Sequence, residues 1–421
     1  MVSYEKGGGI LHMLRNYLGD DAFFAGASDF LKTYEYKNAE AQQLRLSFEK
    51  ISGKDLNWFF NQWYYGSGNP KLDYSYTFEP VKKQVEVVIN QLQEKPFEFP
   101  LAIDVYDKGK PMRYNVWVNA QTKNTFSFSA SQKPDLININ ADGILLSEII
   151  DKKTTEQNLM QYTNSKEFLS RYKALARVKE DLNNPTSVKL LSAALKDPFF
   201  RLRIRALEIA DLNNELQNKN LAADVEKLAG NDPKTLVQAA AISALAKTKN
   251  KKYLPLFEKG INAVSNAVKG NSLLAIIATD PSKIKTLSNK VDLSEASRSM
   301  IIKMLPIVVE NKIDSQMKYI VSIVAFYPLV KPRDPELGKY AEEGFNRIME
   351  SDNFAATNGV VRILNQAKPE MTKSAETKKA IYTMLETGLN KKNELLRNTT
   401  QNKESVSKQI DLLKEIMEEY K

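Results

Sequence analysis

The residues richest in chemistry stand at the start of this 421-residue chain, where Tyr4, Glu5 and Lys6 precede three consecutive glycines, Gly7, Gly8 and Gly9. A glycine run beside a lysine invites a nucleotide-binding reading. A phosphate-binding loop, however, carries its lysine and Ser/Thr after the glycines, at the helix start, where they meet phosphate and magnesium. Here Lys6 comes first and no Ser or Thr follows. A dinucleotide fingerprint needs a preceding strand and a different glycine spacing. On local grounds the glycines mark a close approach, by another backbone or by a substrate. Tyr4 read the same way is a packing or capping tyrosine.

Counts of reactive residue types exclude several other chemistries. The chain has no cysteine, so it has no disulfide, thiolate nucleophile or cysteine-ligated metal. His12 is its one histidine, so no site needing two histidines can be built from this chain alone. The formal charge is +9, from 60 Lys and Arg against 51 Asp and Glu. Such a balance raises nucleic-acid binding as a class. The lysines, however, are spread along helices beside glutamates, and the densest run, "KTKNKKY" from Lys247, closes an apparent helix as a solvated end. No apolar run approaches the ~20 residues that span a bilayer.

Three regimes follow along the chain and set the domain boundaries at residues 1–67, 68–150 and 151–421. In the first, Ile10, Met13, Leu14, Tyr17 and Leu18 keep helical spacing up to Gly19. A second helix starts with Asp20 or Asp21 as cap, and a third runs through Leu44, Phe48 and Ile51 to Gly53. A fourth carries Trp58, Phe59, Phe60 and Trp63. In the second regime the period falls to two: Tyr74, Tyr76 and Phe78, then Phe97 to Val105, then Tyr114, Val116 and Val118 alternate with polar residues. About six or seven short strands separated by turns predict a small antiparallel β-sandwich. In the third, helical periodicity returns with a weak repeat, "DPFFRLRIRALEIA" from Asp197 and "DPKTLVQAAAISAL" from Asp232. Each Asp-Pro suits a helix start, and an alanine, Ala206 or Ala241, follows nine residues on. The spacing predicts an irregular α-helical, HEAT-like solenoid.

The first 67 residues carry a sharper signal. Tyr4-Glu5-Lys6-Gly7, the "LGDDAFFAG" cap, the Y-x-Y-K-N-A segment from Tyr34, and "FEKISGKDLNWFFNQWYYGSGNP" from Phe48 occur in an order that resembles the gluzincin aminopeptidases of family M1. The resemblance implies a multidomain α+β protein: a helical remnant of a thermolysin-like catalytic domain, then the β-sandwich, then the HEAT-like helices. It implies that Tyr4 aims its phenol at the tetrahedral intermediate of peptide hydrolysis as an oxyanion-stabilising donor. Glycines after it keep the helix thin where substrate and the zinc-bearing helices approach. Glu5 and Lys6 belong to the motif as orienting residues, and His12 falls where the family varies, as a surface or packing residue.

In that family Zn2+ is held by His-Glu-x-x-His and a glutamate on the next helix, upstream of the tyrosine. Neither is in this sequence. The resemblance therefore implies the C-terminal portion of a zinc aminopeptidase acting on peptides, with Zn2+ in the full-length parent and none bound by this chain, inactive alone. The expected fragment would hold Phe23, Phe30, Trp58 and Trp63 partly for burial against the absent zinc half. Its sandwich and solenoid would fold without help. The competing reading is a non-catalytic, HEAT-repeat protein-binding scaffold, against which the retained Tyr4 argues. The family's epoxide hydrolase branch stays open, as do compartment and oligomeric state; nucleic acid is not expected as a partner.

Overall fold

The structure is a computed structural model that describes residues 2–283 and 296–421. Its chain falls into two compact units, Met1–Asp197 and Pro198–Lys421. It is mostly helical with two small sheets, and the described residues form no closed barrel.

The first unit opens with helices α1 (Val2–Leu18), α2 (Asp20–Thr33) and α3 (Ala41–Ser52). Tyr4 and the three glycines lie inside α1 and do not precede it. Ile10, Met13 and Leu14 bury one face of α1, the i, i+3, i+4 stripe of a helix packed on a core. Gly19, at φ 86°, turns the chain and is itself the N-cap of α2. Asp20 and Asp21 therefore do not cap α2. They stand in its first turn, where the helix dipole favours carboxylates. α3 begins with a reciprocal capping box between Glu40 and Gln43 and stops at Gly53, φ 68°. The α2–α3 crossing is close: a Cβ on Gly26 would stand 2.5 Å from Phe48 Cδ1 and 3.2 Å from its Cα.

A short helix, α4 (Asn57–Phe59), runs into a π-helical turn over Phe60–Tyr64. Phe59, Phe60 and Trp63 are buried there. Strands β1 (Lys71–Glu79), β2 (Gln84–Gln91), β3 (Phe99–Asp107), β4 (Lys110–Val118), β5 (Lys123–Ser129), β6 (Leu136–Ile139) and β7 (Glu148–Ile150) follow. They form sheets of order β5-β2-β1-β7 and β4-β3-β6. All pairs are antiparallel except β1–β7, which is parallel, a departure from the expected antiparallel pattern. The alternation holds well in β2, where Val85, Val87 and Ile89 are fully buried.

The helices of residues 1–67 and both sheets share one apolar core. Trp63 packs on Phe97 at 5.0 Å between ring centroids, and Trp58 meets Trp117 of β4 edge-on at 5.1 Å. Phe23 stacks on Phe48 at 5.3 Å. Trp63 is buried in this core, and Phe23 and Trp58 are partly buried against it.

Helices α5 (Thr155–Asn164), α6 (Phe168–Arg177) and α7 (Pro185–Leu195) complete the first unit. Thr154 and Gln157 form a capping box on α5, and Asn184 caps α7 ahead of Pro185. In the second unit, helix Thr235–Ala246 packs against Phe200–Ile209, Glu215–Asn231 and Asn266–Thr279. The alanines of the weak repeat, Ala206 and Ala241, are fully buried where helices meet. The repeat's aspartates do something the sequence does not suggest. Arg203 Nε and Nη2 fork onto both oxygens of buried Asp232 at 2.8 and 2.9 Å. Asp197 likewise accepts from Arg171 Nη1 and the Tyr162 hydroxyl, both at 2.7 Å, inside the first unit. Helix N-caps fall instead on Phe199 and Lys234. At Asp334, off the period, the aspartate of an Asp-Pro pair does cap its helix, accepting from Leu337 N at 3.0 Å.

Two outcomes follow for stability. Gly26→Val forces α2 away from the Phe48 backbone and lowers unfolding free energy by roughly 1–3 kcal/mol, outweighing any gain in helix propensity. Asp232→Asn removes the negative charge onto which the buried Arg203 guanidinium forks and costs about 3–5 kcal/mol. Urea titration followed by far-ultraviolet circular dichroism reads both, and midpoints unchanged from wild type contradict the packing described.

Candidate functional site

α1 presents two faces with opposite fates. Its inner face, Ile10, Met13, Leu14 and half-buried Tyr17, enters the core shared with the sheets. Its outer stripe, Tyr4, Gly8, Leu11 and Arg15, follows the i, i+4, i+7, i+11 spacing of one helical edge. The Tyr4 side chain is 89% exposed. A Cβ on Gly7 or Gly8 would meet nothing within 4 Å, whereas one on Gly9 would touch Leu146 at 3.5 Å. Beside Tyr4 the helix is therefore bare backbone on its open side, and the third glycine turns in to the loop before β7.

Side chains around the stripe hold α1 in place. Lys6 Nζ donates to the Gly68 carbonyl at 3.3 Å, tying the start of α1 to the turn that leads into β1. Lys54 Nζ donates to the Tyr17 carbonyl at 3.0 Å and lies 4.4 Å above the Tyr17 ring. Arg15 forks onto Asp20 at 2.8 Å per bond and covers the Phe24 ring at 5.1 Å. Glu5 is exposed. His12 is exposed too, with the Asn16 amide 3.5 Å from its ring nitrogens and donating to its carbonyl at 2.8 Å.

The sequence suggests a tyrosine ahead of the glycines that open a helix, whereas Tyr4 and all three glycines lie on α1 itself. The exposed apolar residues expected of these helices are Phe23, Phe30, Trp58 and Trp63; the exposed ones are others. Of twenty large hydrophobic side chains exposed among the described residues, nine lie in the first 65 residues, including Leu11, Phe24, Leu31 and Tyr36. Exposed apolar residues scattered singly are ordinary, and these nine are the apolar side chains that the first helices leave to solvent. A cavity of about 300 Å³ lies on the opposite side of α1, lined by Met13, Tyr17, Trp58, Asn115 and Asp142. Tyr4 does not reach it.

The residues present do not make a zinc site. Among the described residues no three His, Cys, Asp or Glu side chains converge to hold a metal ion, and the chain's one imidazole is on the surface. A catalytic zinc takes three protein ligands.

Comparison with known proteins locates the recognisable sequence in the same helices. Residues 1–63 match the Peptidase family M1 domain. A leucyl aminopeptidase of Saccharolobus solfataricus is 26% identical over 144 residues, 34% of this chain and 18% of that protein. Aminopeptidase N of Lactococcus lactis is 35% identical over 69 residues, 16% of this chain and 8% of the relative. Tricorn protease-interacting factor F2 of Thermoplasma volcanium is 39% identical over 71 residues, 17% and 9% respectively. The chain thus spans a small part of the length of the curated relatives it matches. In fold, it is similar to aminopeptidase A of Legionella pneumophila, solved in complex with aspartic acid, with TM-score 0.52 and 14% identity. That match covers 97% of this chain and 56% of the other. Residues 1–63, which carry the Tyr-Glu-Lys-Gly element and the helices after it, are thus the part of the chain that is similar to the M1 peptidases.

Proposed function

We propose that this chain is the portion of a zinc-dependent aminopeptidase that follows the zinc-binding residues, and that Tyr4 is its contribution to the chemistry. The carrying observation is the Tyr4 phenol, exposed on α1 above two glycines that nothing covers, within the stretch that matches the M1 domain. In peptide-bond hydrolysis the scissile carbonyl oxygen becomes anionic as the carbon turns tetrahedral. A phenolic O–H held on a rigid helix donates to that oxygen more strongly in the transition state than in the ground state. Gly7 and Gly8 let substrate come close to the α1 backbone beside the phenol. The metal and its ligands come from outside the residues of this chain, which by themselves hydrolyse no peptide. The expected HEAT-like arrangement of the second unit and the sandwich of the first belong to the same reading.

The test joins this chain to an M1 segment carrying His-Glu-x-x-His and measures turnover of an aminoacyl anilide. Tyr4→Phe lowers kcat by a factor on the order of 100 to 1,000, about 3–4 kcal/mol, with KM nearly unchanged. Metal content stays equal to that of the unsubstituted protein. His12→Gln, on the exposed face, leaves kcat within about twofold. Because Tyr4 makes no buried contact, Tyr4→Phe leaves the unfolding free energy within about 0.5 kcal/mol, so lost turnover cannot be laid to lost folding. Equal turnover for Tyr4→Phe and the parent sequence removes Tyr4 from the chemistry and favours the scaffold reading.

The chain alone is expected to release no anilide and to retain no equivalent of zinc after dialysis. Retained stoichiometric zinc with turnover contradicts the proposal.

A further inference from the structure

Far from the Tyr4 stripe along the sequence, the first unit holds a second cavity, of about 260 Å³, lined from β1, β6, the chain around β7, and the α5–α6 pair. Its lining gathers Lys153, Lys173 and Arg177 against a single carboxylate, Asp151. That carboxylate is already engaged. Lys153 Nζ donates to Asp151 Oδ2 at 2.8 Å, and the Tyr74 hydroxyl donates to Oδ1 at 2.9 Å. Lys153 spends a second N–H on Asn138 Oδ1 at 2.9 Å, which leaves one of its three donors. The Lys153 side chain is 5% exposed, and burial pulls its pKa down despite the neighbouring carboxylate. Lys173 is shifted the same way by the same cause. Arg177 pairs with Glu180 at 2.7 Å through one nitrogen, on the solvent side.

Two neutral groups refine the picture. Ser170 Oγ accepts from Gln161 Nε2 at 3.1 Å and from Asn138 Nδ2 at 3.4 Å, so its own proton is left for a third partner. Gln161 is 3% exposed, and its Oε1 is buried with no hydrogen-bond partner. Such an acceptor is costly to leave unmatched. The cavity therefore offers an excess of positive charge and N–H and O–H donors, and Gln161, whose Oε1 has no partner, stands in its wall.

We propose that this cavity is a binding site for a small, doubly charged oxyanion that still carries a proton, of which hydrogenphosphate is the simplest. Its negative oxygens take the remaining Lys153 donor, the Lys173 ammonium, the Arg177 guanidinium and the Ser170 hydroxyl. Its own O–H donates to Gln161 Oε1. The bound ion links the strand edges to the α5–α6 pair and so stabilises the first unit by mass action.

Sulfate separates this proposal from mere charge attraction, because it matches hydrogenphosphate in shape and charge but has no proton to give. Titration calorimetry of the full chain at pH 8 and constant ionic strength uses inorganic phosphate, then sulfate, as probes. Phosphate is expected to bind saturably at one site and about tenfold or more tighter than sulfate. The double variant Lys173→Met, Arg177→Met weakens phosphate by about tenfold or more. Both side chains reach solvent, so the variant folds, and an unchanged circular dichroism spectrum verifies it. Absence of saturable phosphate binding, or variant affinity equal to that of the unsubstituted chain, overturns the site. Sulfate binding as tightly as phosphate overturns the part given to Gln161.

Discussion

The edge-on contact of Trp58 with Trp117 and the tilted packing of Trp63 on Phe97 fix the position of the elements near the α1 stripe. Each such aromatic pair contributes about 0.5–1.5 kcal/mol beyond the area it buries. Their geometric consequence is larger than that figure. The π-helical turn over Phe60–Tyr64 brings Phe59, Phe60 and Trp63 into the core together. Tyr17 completes the seam, meeting Trp58 at 5.4 Å, so α1 is attached to the same aromatic cluster as the sheet.

Because the inner face of α1 is committed in this way, its outer face has a fixed direction. Tyr4, Gly8 and Leu11 cannot rotate inward without withdrawing Ile10, Met13 and Leu14 from the core. Lys6 and Lys54 reinforce the arrangement with bonds from side chain to backbone, to Gly68 and Tyr17. A donor that must meet a developing negative charge needs this kind of support, since a hydrogen bond loses much of its value when its donor moves by an ångström. The exposed Phe24, Leu31 and Tyr36 on the neighbouring helix and loop extend the same open surface. What the first 65 residues bury and what they leave open thus come from one set of contacts.

Features that depend on local period or on a contiguous motif were legible in the sequence. Helices α1 and α3 end where glycines adopt positive φ, at Gly19 and Gly53. The tyrosine-lysine-glycine element and the aromatic exit pointed to the M1 family, which the match over residues 1–63 supports. Features that depend on distant pairing were not legible. Trp58 and Trp63 meet Trp117 and Phe97, 59 and 34 positions further on, and nothing in a helical period names that destination. The short β7 joins β1 in parallel because the chain passes across the sheet, a fact of topology with no local signature. Asp232 looks like a helix cap by its Asp-Pro context, yet Arg203 from the helix Phe200–Ile209 forks onto both its oxygens. The Tyr74–Asp151–Lys153 cluster joins residues 77 positions apart. Its members are unremarkable singly, and only their shared burial gives them meaning.

The account rests on α1 being one cooperative body with the sheets, presenting the Tyr4 stripe from a rigid base. Native-state hydrogen exchange of the full chain tests this most directly, because it reads the opening free energy of each helix and strand separately. The amides of Ile10, Met13, Leu14 and Tyr17 should open with a free energy within about 1 kcal/mol of those of Val87 in β2 and Ile103 in β3, as parts of one unit do. Rapid exchange across α1 while β2 and β3 stay protected would show a helix detached from the core, and Tyr4 would then have no fixed base from which to act.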